Sequence, residues 1–218
     1  MKLRLHTYWR SSATYRVRIA LNLKELAYEP VIVNILTGGQ DHDDYRAKNS
    51  MGQVPTLEVH ENDGRVHVLA QSLPIIEYLD ERFRELPVLP AALEARAHCR
   101  ALAEIVNSGI QPLQNLSVTR RLQAAGADDK AWVVHFISRG LAAFESAVAA
   151  GGLAGRYCIG DTPTLADCCL VPQLYAARRF GVDPAAYPRL AAIGAACETL
   201  PAFAAAHPDR QPDVPEAK

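Results

Sequence analysis

The feature that most constrains this chain is a change of hydrophobic pattern at the proline-bounded stretch Leu86-Pro87-Val88-Leu89-Pro90. Before it, the pattern alternates several times between the period of two that marks a half-buried strand and the spacing of an amphipathic helix. After it no strand signal remains, and alanine-rich helical segments take over. Such a chain is expected to fold as an α/β domain over residues 1–84 followed by an all-helical domain over residues 91–218, with the prolines as linker.

In the first part, Leu3 and Leu5 alternate with Arg4 and His6, and Val17, Ala20, Leu21 and Lys24 then follow helical spacing. The run Val31-Ile32-Val33-Asn34-Ile35 is β-branched and too short for a helix, and is expected to be a buried strand. Beyond a polar loop from Thr37 to Asp44, strands are expected at Val54–His60 and Val66–Ala70, joined by a hairpin turn at Asn62-Asp63-Gly64. Ile75, Ile76, Leu79 and Phe83 recur at helical spacing, with Pro74 tolerated in the first turn. The order β-α-β, β-β-α is the thioredoxin-like arrangement.

In the second part, residues 91–124 predict one long helix bent near Gly109 and Pro112, and residues 129–149 a second. Thr164-Leu165-Ala166-Asp167 has the form of a capping box opening a helix that runs to Phe180. A further helix is predicted over Pro188–Thr199, and the prolines of Pro208-Asp209-Arg210-Gln211-Pro212 predict an extended tail.

Charge and composition exclude whole classes of function. The 23 Lys and Arg balance 24 Asp and Glu, so the basic excess that neutralises phosphates is missing and nucleic acid is excluded as a partner. Charges interrupt the apolar stretches within about a dozen residues, short of the roughly 20 needed to cross a bilayer, so no membrane span is expected. The start Met-Lys-Leu-Arg-Leu-His lacks the apolar core of an export signal, which leaves the cytoplasm as the expected location. Cys99, Cys158, Cys168, Cys169 and Cys197 form no C-x-x-C and no paired Cys/His spacing, so neither a disulfide framework nor a metal site is expected, only buried thiols. His98 and His135 read as ordinary helix residues.

Three short segments can carry chemistry. Arg10-Ser11-Ser12-Ala13-Thr14 lies between the first strand and the first helix, where hydroxyls and unpaired amides can hold an anion or a thiolate, or simply cap the helix. Gln53-Val54-Pro55 places a proline at a strand start, where a cis bond is admissible and the backbone is open to a peptide-like ligand, or where the proline merely marks a strand edge. Gln71-Ser72 stands where the last strand meets a helix, again a binding position or a cap.

The order of these segments is recognisable. The strings Arg10-Ser-Ser-Ala-Thr-Tyr-Arg-Val-Arg-Ile-Ala-Leu, Asn49-Ser-Met-Gly-Gln-Val-Pro-Thr-Leu, Gln71-Ser-Leu-Pro-Ile-Ile-Glu-Tyr-Leu, Gly109-Ile-Gln-Pro-Leu-Gln-Asn-Leu-Ser-Val and Gly160-Asp-Thr-Pro-Thr-Leu-Ala-Asp resemble the zeta class of glutathione transferases. The resemblance spans essentially the whole chain, to His207-Pro-Asp-Arg-Gln-Pro-Asp. It implies the glutathione transferase fold, glutathione as cofactor, a homodimer, and isomerisation of a small maleyl dicarbonyl acid in aromatic amino-acid catabolism, maleylacetoacetate being the best-known substrate of the class. It further implies that Ser11, assisted by Ser12 and the amides around Ala13 and Thr14, donates to the glutathione sulfur. Gln53, Val54 and Pro55 would meet the cysteinyl backbone, Gln71 and Ser72 the γ-glutamyl end, and Gln40, Gln111, Asn115 and Ser117 further parts of the tripeptide.

One position departs from the family pattern: the cysteine of the S-S-C-S motif is Ala13 here. No thiol of this loop can then act as nucleophile, and the loss bears on the substrate more than on the cofactor. Arg10 and Arg179 are the candidate cations for the substrate's carboxylates and for charge built up during addition. Arg16 and Arg18 are expected in structural or interdomain ion pairs. Maleylpyruvate isomerisation, and conjugation or dehalogenation of α-haloacids, are the enzymatic alternatives. The Gln-Asn-Leu-Ser block at 114–117 resembles the maleylacetoacetate type. A non-catalytic thioredoxin-fold binding protein is the alternative of another class, and the absent C-x-x-C disfavours a thioredoxin-type oxidoreductase.

Overall fold

The computed structural model describes residues 1–215. They form two compact units, Met1–Val88 together with the segment from Leu200 onward, and Leu89–Thr199. In the first unit, β1 (Lys2–Thr7), β2 (Glu29–Ile32), β3 (Thr56–His60) and β4 (Val66–Ala70) form one sheet in the order β2-β1-β3-β4. β1 and β2 are parallel, so a crossover must join them, and α1 (Ser12–Leu23) supplies it. The other two pairings are antiparallel. The short α2 (Asp43–Arg46) follows β2, and α3 (Ser72–Arg82) follows β4.

The expected strand at Val31–Ile35 begins and ends earlier than its apolar run, and it is not buried throughout. It is an edge strand whose Ile32 is 44% exposed, and its ladder stops where β1 stops, at the Thr7–Ile32 pair. Val33 and Ile35 instead leave the sheet to pack with Tyr8, Trp9, Tyr45 and Val54. Strand β3 starts at Thr56 rather than Val54, because Pro55 has no N–H to give to a ladder. The hairpin closes at Asn62-Asp63-Gly64 as expected, with Gly64 at φ +86° and the Glu61 amide bonded to the Arg65 carbonyl at 2.8 Å. Leu5, Leu57, Val59, Ile75, Ile76 and Leu79 expose essentially nothing, and each such side chain contributes about 1.5–3 kcal/mol of burial.

The expectation that residues 91–218 form one domain is corrected at its end. Helix α9 (Pro201–Ala206) packs on α1 of the first unit. The reason is visible in α1, which is buried from Thr14 through Leu21 on every face and so needs cover opposite the sheet. Asn22 Nδ2 donates to the Ala202 carbonyl at 2.9 Å and Arg18 Nε to the Ala206 carbonyl at 3.1 Å. The tail is not extended either: Pro208–Arg210 forms a 3₁₀ turn, and Gln211 Nε2 donates to the carbonyls of Ala205 (3.1 Å) and His207 (2.9 Å). Farther along, Asp213 Oδ2 accepts from the Trp9 amide at 2.8 Å. The proline-bounded stretch is likewise tied to the first unit, since Asp80 Oδ1 accepts from both Lys24 Nζ (3.0 Å) and the Val88 amide (2.7 Å).

The second unit is helical: α4 (Leu93–Asn107), α5 (Leu116–Ala124), α6 (Asp129–Gly151), α7 (Leu165–Phe180) and α8 (Pro188–Glu198). The single helix expected over 91–124 is two. Pro112 cannot donate and biases Gln111 away from helix, and Asn115 caps a new start by accepting from the Ser117 amide at 3.0 Å. Helix α7 opens on the expected box, with the buried Asp167 carboxylate accepting from the amides of Thr164 (2.7 Å) and Cys158 (2.9 Å). Burial raises the Asp167 carboxyl and these amides counter it. Helix α6, at 23 residues, is long and apolar enough by length and composition to cross a bilayer, against the expectation that no stretch would be. In this unit it turns Val133, Ile137, Leu141, Phe144 and Val148 inward and packs beside α4, α7 and α8.

Candidate active site

Register brings the three chemical segments together. His6, Thr56 and Ala70 lie in one row across β1, β3 and β4. The chain leaving β1, the chain entering β3 and the chain leaving β4 therefore all lie at the same end of the sheet. These are the segments Tyr8–Thr14, Gln53–Pro55 and Gln71–Ser72.

Ser11 is the N-cap of α1, and its Oγ accepts from the Thr14 amide at 3.2 Å. This use occupies a lone pair and leaves the hydroxyl hydrogen available to a ligand, so capping and binding are compatible at this residue. Ser12 and Ala13 occupy the first turn, where amides have no helical carbonyl to meet. Thr14 is fully buried, and its Oγ1 has no hydrogen-bond partner. Arg10 stacks on the Trp9 ring at 5.1 Å.

The Val54–Pro55 peptide bond is cis. The preceding carbonyl, that of Gln53, is held by Tyr45 Oη and Asn49 Nδ2, both at 2.7 Å. Burial pushes the Tyr45 phenol up to about 12, with its contact to Thr56 pulling the other way, so the hydroxyl stays a donor at any working pH. Gly52, at φ +59°, allows this loop to pass the Gln40 carbonyl, to which a Cβ would come within 3.0 Å. Gln40 sits in a 3₁₀ turn, its Oε1 buried without a partner.

Gln71 is the N-cap of α3 and adopts φ 72°, ψ 131°, a conformation that costs a residue with a Cβ roughly 1–3 kcal/mol. No side chain caps this helix, so the amides of Ser72 and Leu73 stay open to a ligand. Gln71 Nε2 lies 3.4 Å from Gln53 Oε1, which links the second and third segments. Ser72 is buried and accepts from Arg16 Nη1 at 3.1 Å, which links α3 to α1 and aims the Ser72 hydrogen elsewhere.

Gln111, Asn115, Ser117 and Arg179 belong to the second unit. Gln111 Nε2 donates to Oε1 of the fully buried Gln173 at 3.2 Å. Asn115 and Ser117 are exposed and bonded to each other, and Arg179, on the last turn of α7, lies over the Phe180 ring at 5.4 Å. Tyr45, Asn49 and Gln173 were not singled out from sequence, since each acts through a side-chain hydrogen bond whose partner its residue type does not announce. The five cysteines are all buried, and burial raises the thiols of Cys158 and Cys168 well above their ordinary value. Among the described residues none offers an exposed thiolate.

Residues 5–87 match the glutathione S-transferase N-terminal domain family, and residues 137–193 the glutathione S-transferase C-terminal domain family. A probable maleylacetoacetate isomerase 2 of Drosophila melanogaster is 46% identical over 213 residues, 97% of this chain and 90% of that protein. A maleylpyruvate isomerase of a Ralstonia species is 43% identical over 217 residues, 97% of this chain and 99% of its own. The crystal structure of maleylacetoacetate isomerase from Anaeromyxobacter dehalogenans with glutathione in its active site is 54% identical, covers 98% of both chains and superimposes with a TM-score of 0.91. The same enzyme has also been crystallised with dicarboxyethyl glutathione and citrate in the active site.

Proposed function

Because the chain belongs to the glutathione S-transferase family, in its zeta class, we propose that it is a glutathione-dependent cis–trans isomerase that converts maleylacetoacetate to fumarylacetoacetate. The observation that carries this reading is the convergence of three ligand-ready segments at one end of the sheet, with the Ser11 hydroxyl hydrogen unused. Glutathione, when bound, supplies a thiolate that adds reversibly to the cis double bond, allows rotation and leaves unchanged.

The residues present fit that tripeptide. Among the described residues, no other backbone group takes the Val54 amide or carbonyl, so both are open to pair with an extended peptide. The uncapped start of α3, with the Ser72 hydroxyl, suits a carboxylate. The partnerless Thr14 Oγ1 and Gln40 Oε1 are polar atoms of the kind a polar ligand satisfies. Ser11 and the first-turn amides of α1 face the remaining task, which is the sulfur. A free thiol titrates near about 8.5, and moving it down by two units requires about 2.7 kcal/mol, within the range of one charge-assisted hydrogen bond and a helix N-terminus.

With Ala13 in the loop and the cysteines buried, no protein thiol competes for the nucleophile's role. Arg10 and Arg179 bind the substrate's carboxylates and stabilise the charge that addition places on the conjugated oxygen. The balanced charge and the inward-packed apolar face of α6 support a cytoplasmic protein that binds neither nucleic acid nor membrane, and family membership supports a homodimer.

The test is the ultraviolet change of maleylacetoacetate and of maleylpyruvate mixed with the protein, with and without glutathione. Conversion to the fumaryl isomer without net thiol loss is expected, faster for maleylacetoacetate. Consumption of thiol with an α-haloacid, and no isomerisation, would replace this reading with a transferase. Failure to bind glutathione would leave a binding protein.

A further inference from the structure

The loop that presents Ser11 is gripped on both sides of one residue, Trp9. The Trp9 amide donates to Asp213 Oδ2 at 2.8 Å, and the Trp9 carbonyl accepts from Arg18 Nη2 at 2.9 Å. Arg18 also reaches Thr7 Oγ1 (3.3 Å) and the Tyr8 carbonyl (3.5 Å), and the Ala206 carbonyl holds its Nε at 3.1 Å. Tyr8 in turn accepts from the Ser11 amide at 3.0 Å, so these bonds set where Ser11 stands. The first grip belongs to the segment beyond Leu200, and the second to Arg18 of α1, which that segment holds through the Ala206 carbonyl. That segment is itself fixed by the Gln211 side-chain bonds and by the edge of the His207 ring against Tyr15, centroids 6.2 Å apart.

The Asp213 carboxylate is placed unusually for a group that serves stability alone. Its Oδ1 is buried without a hydrogen-bond partner, so the carboxylate is held for its single bond to the Trp9 amide. Trp9 also carries the Arg10 guanidinium on its ring, so a shift of this peptide moves Arg10 and Ser11 together.

We propose that Asp213 is a positioning residue for the active-site loop: through the Trp9 peptide it fixes the Ser11 hydroxyl, and with it Arg10, in the geometry that activates the thiol. The inference rests on the isomerase reading for its kinetic consequence but not for the loop itself. A displacement of about 1 Å in such a group can cost up to 100-fold in rate.

The test compares Asp213→Ala and Asp213→Asn in the full chain. Three readouts are used: hydrogen exchange of the amides at 9–14 without glutathione, titration of the bound thiol by thiolate absorbance, and kcat and KM. Asp213→Ala should speed exchange in that segment, raise the bound thiol by about one pH unit and lower kcat about tenfold, with KM for glutathione changed less than about threefold. Asp213→Asn keeps an acceptor for the Trp9 amide and should stay within about threefold of the parent. Unaltered loop exchange and thiol titration in Asp213→Ala, even with a lower melting temperature, would overturn the proposal, as would an Asn variant as impaired as the Ala variant. If the parent protein shows no glutathione-dependent turnover, the functional reading fails, and loop exchange alone still decides whether Asp213 holds the loop.

Discussion

The two units place their candidate groups in different ways. In the first, the groups are largely backbone amides and carbonyls at strand and helix ends, gathered by sheet register and fixed by buried side chains such as Tyr45 and Arg16. In the second, they are side chains, of which Asn115, Ser117 and Arg179 are exposed. Backbone donors follow from the fold and survive most substitutions, whereas exposed side chains can change without disturbing the core. The first unit therefore suits an invariant ligand and the second a variable one.

The sharpest way to break this comparison is at the one side-chain group the first unit cannot replace by backbone. Ser11→Ala should lower kcat by about 100-fold, as loss of one preorganised donor does, while the lost cap costs only about 1 kcal/mol of stability. The surviving activity should shift to higher pH, because the bound thiol then ionises later. Unchanged turnover would remove Ser11 from the mechanism.

In the second unit, Arg179→Ala should raise KM for the diacid about tenfold and leave glutathione affinity by calorimetry as it was. Weakened glutathione binding would blur the division of labour. Tyr45→Phe probes how far the first unit's backbone depends on its supports. Losing the bond to the Gln53 carbonyl should cost about 1 kcal/mol of stability and a few-fold in glutathione affinity.

Much of the first unit is legible in the sequence because strand periodicity, the turn at Gly64 and Pro55 are local signals. The capping box at Thr164 is local for the same reason. The split of the helix expected over 91–124 was half legible: Gly109 and Pro112 announce a bend, but only the Asn115 side chain turned back on Ser117 shows a new start. The allegiance of α9 was not legible. Phe203 and Ala206 have the spacing of any buried helix face, and nothing in such a face names its partner. The grip of Arg18 on the Ala206 and Trp9 carbonyls was not legible for a related reason, since it leaves no trace in residue type. In the candidate site, the hydroxyls and the cis proline were readable, whereas Tyr45, Asn49 and Asp213 act on backbone groups and are seen only once the chain is folded.

The smallest effect on activity, and a test of the sheet apart from the site, concerns Glu58. This buried carboxylate lies 2.8 Å from His6 Nε2, 2.8 Å from His60 Nε2 and 3.0 Å from Lys48 Nζ. Burial alone would raise it, but the hydrogen bonds from these three outweigh that and hold it at about 2. Since the unfolded chain takes up the proton near about 4.3, the stabilisation is complete above that pH and is lost as pH falls from there toward about 2. Melting temperatures between pH 5 and 2.5 should fall more steeply for the parent than for Glu58→Gln; parallel curves would assign acid lability elsewhere.

The grouping of the segment beyond Leu200 with the first unit has a consequence for biosynthesis. The helical unit is, in effect, an insertion within the α/β one, and Trp9 must wait for a partner 204 residues downstream. On the ribosome the sheet can form early, but the outer face of α1 stays uncovered until translation has passed α9. A nascent chain paused before that point exposes an apolar helix face to whatever chaperone is at the tunnel exit.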